Sequence, residues 1–185
     1  MPTASEITKS NIPYLDAFLE ETLRRANSVF GVDREASEDT MVLGHLIPKG
    51  TMLMLLNKGH SFTKPGFPID ESVRSESSQK AAIERGLREW DADDMEAFKP
   101  ERWLEKDENG NTVFNSTAGP TIPFGLGLRG CFGRRLAYLG LRLVMTLLVW
   151  NFEFEEVPEQ MAGYEAIDGL THVPRFDYVK LKAAA

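Results

Sequence analysis

Cys131 is the only cysteine among the 185 residues, and it stands in Phe124-Gly-Leu-Gly-Leu-Arg-Gly-Cys131-Phe-Gly133. A lone thiol has no internal disulfide partner, which leaves it three roles: buried thiol, nucleophile or metal ligand. A thiolate needs stabilisation, because an unperturbed cysteine is mostly protonated at neutral pH. The residues after Cys131, Phe-Gly-Arg-Arg-Leu-Ala, read as the opening of a helix. The first N–H groups of a helix are unpaired and carry the positive end of its dipole, so they can hold a sulfur ionised. Gly125, Gly127, Gly130 and Gly133 permit tight turns and close backbone approach to a flat ligand. Phe124 offers an apolar wall against water, and Arg129 a fixed cation suited to a carboxylate at a macrocycle's edge. This chemistry favours the ligand role, and among metals it points to haem iron.

Two further segments bear on how such a loop is held. Tyr14-Leu-Asp-Ala-Phe-Leu-Glu-Glu-Thr-Leu-Arg-Arg reads as an amphipathic helix with Leu15, Phe18, Leu19, Thr22 and Leu23 on its apolar stripe. Glu21 and Arg24 lie three apart, on one face, and can pair. Such pairs usually decorate solvated helices, so this one alone says little. Phe98-Lys-Pro100-Glu101-Arg102-Trp103 follows, and Arg34 lies between the two segments.

Together these residues resemble the cytochrome P-450 monooxygenases. Phe124, Gly127, Arg129, Cys131 and Gly133 match the haem-loop pattern Phe-x-x-Gly-x-Arg-x-Cys-x-Gly, followed by Leu136-Ala137. Glu21-Thr-Leu-Arg24 resembles the family's helix K motif, and Pro100-Glu101-Arg102-Trp103 its Pro-Glu-Arg-Phe segment with Trp at the end. The resemblance covers essentially the whole chain. It implies a mainly α fold with small β-sheets, the C-terminal portion of the cytochrome P-450 fold: helix K, short strands, Cys-ligand loop, helix L and a terminal hairpin.

The resemblance further implies haem b, with Cys131 as axial thiolate to the iron and Phe124, Gly127, Arg129 and Gly133 as loop contacts. Arg34 would reach a haem propionate. Glu21, Arg24 and Arg102 would form a buried structural network whose return is geometric, since burying charge costs desolvation. Ser28 to Val32 and the turn near Leu170 would face substrate. The implied activity is insertion of one oxygen atom of O2 into a small organic substrate. Electrons would come from a flavin reductase or an iron–sulfur protein, and Arg134 and Arg135 could attract an acidic partner. Haem-thiolate peroxidase or isomerase chemistry, and a non-enzymatic truncated remnant, are the competing readings. Residues 1–185 are expected to be one haem-binding segment of a longer domain, a fragment or truncated gene model. The distal helices and the acid–alcohol helix of the family are missing from it. Without them, water would reach the metal, so the isolated chain is not expected to hydroxylate efficiently.

Composition sets outer limits. A net charge of −7 disfavours nonspecific nucleic-acid binding. One cysteine fits a reducing, intracellular compartment. The opening Met-Pro-Thr-Ala-Ser-Glu is neither signal peptide nor anchor; full-length members of the resembled family are often bound to the endoplasmic-reticulum membrane. Leu136 to Phe152 is the longest apolar stretch, but Arg142 interrupts it, so it reads as a core helix rather than a span. His45, His60 and His172 share no ligand spacing.

The remaining elements follow from local signals. A helix is expected over residues 11–28, with Pro13 in its first turn. Residues 40–56 read as two strands around Pro48-Lys49-Gly50, with Met52 to Leu56 too apolar for a surface strand. Residues 57–80 read as irregular, and residues 104–120 as a polar loop with a turn at Asp107 to Gly110. Glu89, Asp91, Asp93, Asp94 and Glu96 read as a solvated acidic stretch. Asn151 to Glu155 and Tyr178 to Lys182 alternate as strands and can pair in a terminal hairpin.

Overall fold

The computed structural model describes residues 1–26, 28–57, 59–85, 90–119, 121–163, 165–169 and 171–184. The chain opens on α1 (Ala4–Lys9), a short helix that sequence periodicity does not announce. Its signal is local. Thr3 accepts the Glu6 N–H while the Glu6 carboxylate accepts the Thr3 N–H, a reciprocal cap that satisfies two end donors. α2 (Pro13–Ala26) follows, with proline at its first position, where a missing N–H costs nothing. It stops two residues before the expected end, and the Ser28 carbonyl instead accepts the His172 N–H at 2.7 Å.

β1 (Gly31–Glu35) pairs antiparallel with β4 (Met52–Leu56), Gly31 opposite Leu56 and Glu35 opposite Met52. Between them β2 (Thr40–Val42) and β3 (His45–Ile47) make their own hairpin. Its turn is Leu43-Gly44, both at positive φ (49° and 83°). The expected hairpin around Pro48-Lys49-Gly50 is therefore corrected: that turn leads into a strand whose partner lies earlier in the chain. Met52, Met54, Leu55 and Leu56 are exposed, against the expectation of a buried strand.

α3 (His60–Thr63) and α4 (Glu76–Arg85) break up the stretch expected to be irregular. β5 (Leu104–Lys106) and β6 (Thr112–Phe114) form a hairpin where a plain loop is expected, with Asp107 accepting the N–H groups of Asn109 and Asn111 across the turn. The long helix α5 (Arg134–Asn151) runs into β7 (Phe152–Glu155). β8 (Ala166–Asp168) pairs with β9 (His172–Pro174), and β10 (Lys180–Ala183) pairs back with β7 in the expected terminal sheet.

The core is small and sits where α2 meets the Pro100–Trp103 turn and β5–β6. Ala17, Trp103 and Ala118 are buried there, with Trp90, Leu104 and Phe114 packed against them. α5 is a different case. Its apolar residues read as core, yet among the described residues none of this helix is buried, and Leu136, Val144, Val149 and Trp150 are exposed. Arg142 explains the break in its apolar run. Its Nε donates to the Ile7 carbonyl at 3.0 Å and its guanidinium pairs with Asp16, tying α5 to α1 and α2.

Candidate functional site

One turn of α2 builds a buried ionic centre. Glu21 is 0 % exposed, yet every side of its carboxylate meets a donor. Arg24 Nε donates to Oε2 at 2.8 Å and Arg24 Nη2 to Oε1 at 2.7 Å, a two-pronged pair set by the three-residue helical spacing. The Lys99 N–H reaches Oε1 at 3.0 Å, and Trp103 Nε1 donates to Oε2 at 2.9 Å. Arg102 Nε lies 3.3 Å from Oε1. Burial by itself would raise the Glu21 carboxyl, but the donors from Arg24, Lys99 and Trp103 outweigh it and hold it below the ordinary range.

The structure thus brings Glu21, Arg24 and Arg102 together. Sequence reading missed the residues that complete the centre. Arg102 also pairs with Asp94 at 3.1 Å, so one member of the supposedly solvated acidic stretch belongs to the network. Trp90 caps it: the Arg102 guanidinium lies 4.5 Å and that of Arg24 5.4 Å from its ring centroid. The Trp90 ring is fixed by its Nε1 donating to the Ala118 carbonyl at 2.8 Å and by edge contact with Trp103. No local pattern flags Trp90 or Asp94, because their partners are tertiary.

The Cys131 loop is built otherwise. The Cys131 N–H donates to the Phe124 carbonyl at 2.7 Å, closing the loop on itself. Gly125 and Gly127 hold φ of 66° and 63°, a region that side chains resist. A Cβ on Gly130 would meet the Gly127 carbonyl at 3.2 Å, and one on Gly133 would stand 3.7 Å from Cys131 Sγ. Gly133 caps α5 with no side-chain hydrogen bond, so the helix N-terminus behind the sulfur stays open to a ligand's or thiolate's charge.

The thiol is exposed, and Phe132 and Leu128 beside it are fully exposed. Phe124, expected to wall off the sulfur, packs its ring on Tyr138 with centroids 5.3 Å apart. The Tyr138 hydroxyl donates to Glu20 at 2.6 Å. Burial pushes the Tyr138 hydroxyl well above its usual range, and the Glu20 carboxylate adds to the rise.

The other candidates are dispersed. Arg34 is exposed on β1 opposite Leu53 and donates to the Asp33 carbonyl at 2.7 Å; no described hydrogen bond or ion pair joins it to the cysteine loop. Arg129, Arg134 and Arg135 are exposed at the loop and the start of α5. Among the described residues no carboxylate forms an ion pair with Arg34 or Arg129. Residues 28–32 are joined to the β8–β9 hairpin by the Ser28–His172 bond, and Phe30, Gly59, Asp168 and His172 border a cleft of about 290 Å³. Leu170, named in sequence for the same region, lies outside the described residues. Among the described residues no cluster of His, Cys, Asp and Glu could hold a metal ion, and no helix is long and apolar enough to cross a membrane.

The residues present fit a flat, iron-bearing, doubly acidic group. A soft donor stands exposed on a glycine-built loop beside the exposed Leu128 and Phe132, and the loop's Arg129 meets no carboxylate among the described residues. The comparisons agree in kind. The model of the family described as Cytochrome P450 matches residues 3–60 and 82–173. A cytochrome P450 monooxygenase of Pestalotiopsis microspora is 46% identical over 182 residues, 98% of this chain and 31% of that protein. Another, of Fusarium sporotrichioides, is 45% identical over 192 residues, 97% of this chain and 32% of that protein. The chain therefore spans about a third of the length of the curated relatives it matches. The solved structure of retinoic acid-bound cyanobacterial CYP120A1 superposes with a TM-score of 0.66 at 28% identity, over 100% of this chain and 35% of that one. The fold is accordingly a partial cytochrome P450 fold of helices and small sheets. The chain belongs to the cytochrome P450 family, whose membership implies haem b as cofactor.

Proposed function

We propose that these 185 residues supply the proximal, haem-ligating segment of a longer monooxygenase domain. That enzyme would insert one oxygen atom of O2 into a small organic substrate, and Cys131 is the residue that would hold the haem iron. The observation that carries this reading is the exposed thiol on a glycine loop that opens a helix with no side-chain cap. Haem held there through sulfur would supply oxygen activation. The chain's own residues bind and orient. The sulfur stands just ahead of the N-terminus of α5. Gly127 and Gly133 let the backbone approach the ring, and Phe124 contributes an apolar contact. Arg34 and Arg129 take the two propionates. Glu21, Arg24 and Arg102 touch no reacting atom; they fix the platform beneath the loop.

Residues 28–32 and the β8–β9 hairpin border the substrate, which the cleft between them supports. Electrons come from a flavin reductase or an iron–sulfur protein, and Arg134 and Arg135 meet its acidic surface. The described residues place nothing over the sulfur, and the chain covers 31% of a whole relative. Water is not excluded, so the 185 residues alone turn over poorly.

Reconstitution of the purified chain with hemin tests the assignment. The ferrous–carbonyl form should show the red-shifted Soret band of thiolate ligation, and Cys131→Ala should lose it. A band that survives in Cys131→Ala sinks the assignment. A folded wild-type chain without the band marks a remnant that does not ligate haem.

A further inference from the structure

Glu20 is 3 % exposed, and neither the buried ionic centre nor the haem loop uses it. A carboxylate so placed costs desolvation unless something holds it. What holds it is Tyr138, one turn into α5, whose hydroxyl donates to Oε2 at 2.6 Å. Burial raises the Glu20 carboxyl, while the Tyr138 hydroxyl and the charge of Arg134 draw it down.

The bond joins two parts of the molecule that sequence keeps 118 positions apart. On the α2 side, successive residues of a helix point about 100° apart. Glu21 therefore turns into the Arg24–Arg102–Trp103 centre while Glu20 turns toward α5. On the α5 side, the Tyr138 ring packs 5.3 Å from the Phe124 ring, and the Phe124 carbonyl accepts the Cys131 N–H at 2.7 Å. The Arg134 guanidinium lies 5.6 Å from the same tyrosine ring. A continuous physical path thus runs from the helix that carries the buried, fully paired Glu21 to the backbone of the cysteine loop.

We propose that Glu20 and Tyr138 are positioning residues: their hydrogen bond locks the first turn of α5, and through Phe124 the Cys131 loop, to the buried ionic platform on α2. Their role rests on Cys131 being the haem ligand. Neither residue touches the ligand atom. They set where the loop stands before haem arrives, which lowers the ordering cost of binding.

Native-state amide exchange of the 185-residue chain tests the tie without haem. The Cys131 amide is the reporter. The Asn57 amide, which donates to the Phe30 carbonyl at 2.8 Å at the end of the β1–β4 pair, is the reference. Tyr138→Phe should speed exchange at Cys131 about tenfold, as loss of one bond to a charged acceptor implies, and leave Asn57 unchanged. Glu20→Ala should do the same. Glu20→Gln, whose amide oxygen still accepts from the hydroxyl, should stay near wild type. Unchanged exchange at Cys131, or acceleration that matches Asn57 in both loss variants, overturns the proposal. After loading with hemin, Tyr138→Phe should also show a smaller thiolate-type share of the carbonyl Soret band than Glu20→Gln; equal shares overturn the positioning role. Absence of that band from the wild type refutes the ligand reading instead, so the two failures register in different measurements.

Discussion

The ionic centre on α2 and the loop around Cys131 are both parts of one motif set, yet the chain treats them in opposite ways. Around Glu21 each lone pair has a donor, each cation has an acceptor, and the indole of Trp103 is wholly buried. Around Cys131 the thiol, Phe132 and Leu128 face outward, and Arg129 has no described carboxylate. The first region is satisfied within these residues; the second is exposed. A buried charge survives only if it is fully paired at folding, whereas a ligand loop must keep its valences open until the ligand comes. The contrast separates charges paired within the fold from a thiol left exposed.

Four measurements break or sharpen that contrast. Arg102→Ala leaves Glu21 buried with a missing cation, and urea unfolding should show a loss of about 3–5 kcal/mol. A change within about 0.5 kcal/mol, the range of ordinary surface substitutions, would remove Arg102 from the network. Gly119→Ala comes next. Its Cβ would stand 1.8 Å from the Trp90 ring, which the Ala118 carbonyl pins, so overpacking should cost about 1–3 kcal/mol in the same assay. An unchanged midpoint would mean that Trp90 does not brace the centre.

Cys131→Ala should fall at the other extreme. The side chain is exposed, so stability without haem should shift by less than about 0.5 kcal/mol even though the haem spectrum collapses. A large loss would show that the loop is structural in its own right.

The smallest effect is a slope in pH, and its sign is the readout. The Glu21 carboxyl lies below its ordinary 4.5 in the folded chain, so it stabilises above that pH and the contribution is lost as pH falls through its folded value. The Glu20 carboxyl lies above 4.5, so its contribution is present below that pH and is lost as pH rises through its folded value. Glu20→Gln should flatten the decline of the unfolding midpoint just above pH 4.5 and leave the acid limb intact. Flattening of the acid limb instead would assign the two neighbours the wrong way round.

Much of this was legible in order along the chain. Glu21 and Arg24 pair because helical spacing dictates it, and glycines 125 and 127 mark a loop that side chains resist. The strands at Phe152 and Lys180 alternate and do pair. What misled was apolar content. Met52 to Leu56 and the face of α5 read as core because their side chains are oily, but burial depends on what covers them, and the described residues leave most of that strand exposed and the helix only partly covered. The β1–β4 pairing was hidden for a related reason: a local turn at Pro48 looked like a hairpin, while the partner strand lay across an inserted one.

Residue types and spacings alone determined the chemistry this chain can offer: a lone thiol at a helix start, its glycine backbone, its cations and its helical ion pair. Tertiary structure alone decided which charges those chemical groups meet. It drew Asp94 and Trp90 around Arg102, set Trp103 on Glu21 and Glu20 against Tyr138, and left Cys131 bare. The reason is physical. Helical and turn geometry act over a few residues and are written locally, whereas desolvation and pairing depend on whatever the fold carries into contact from far along the chain.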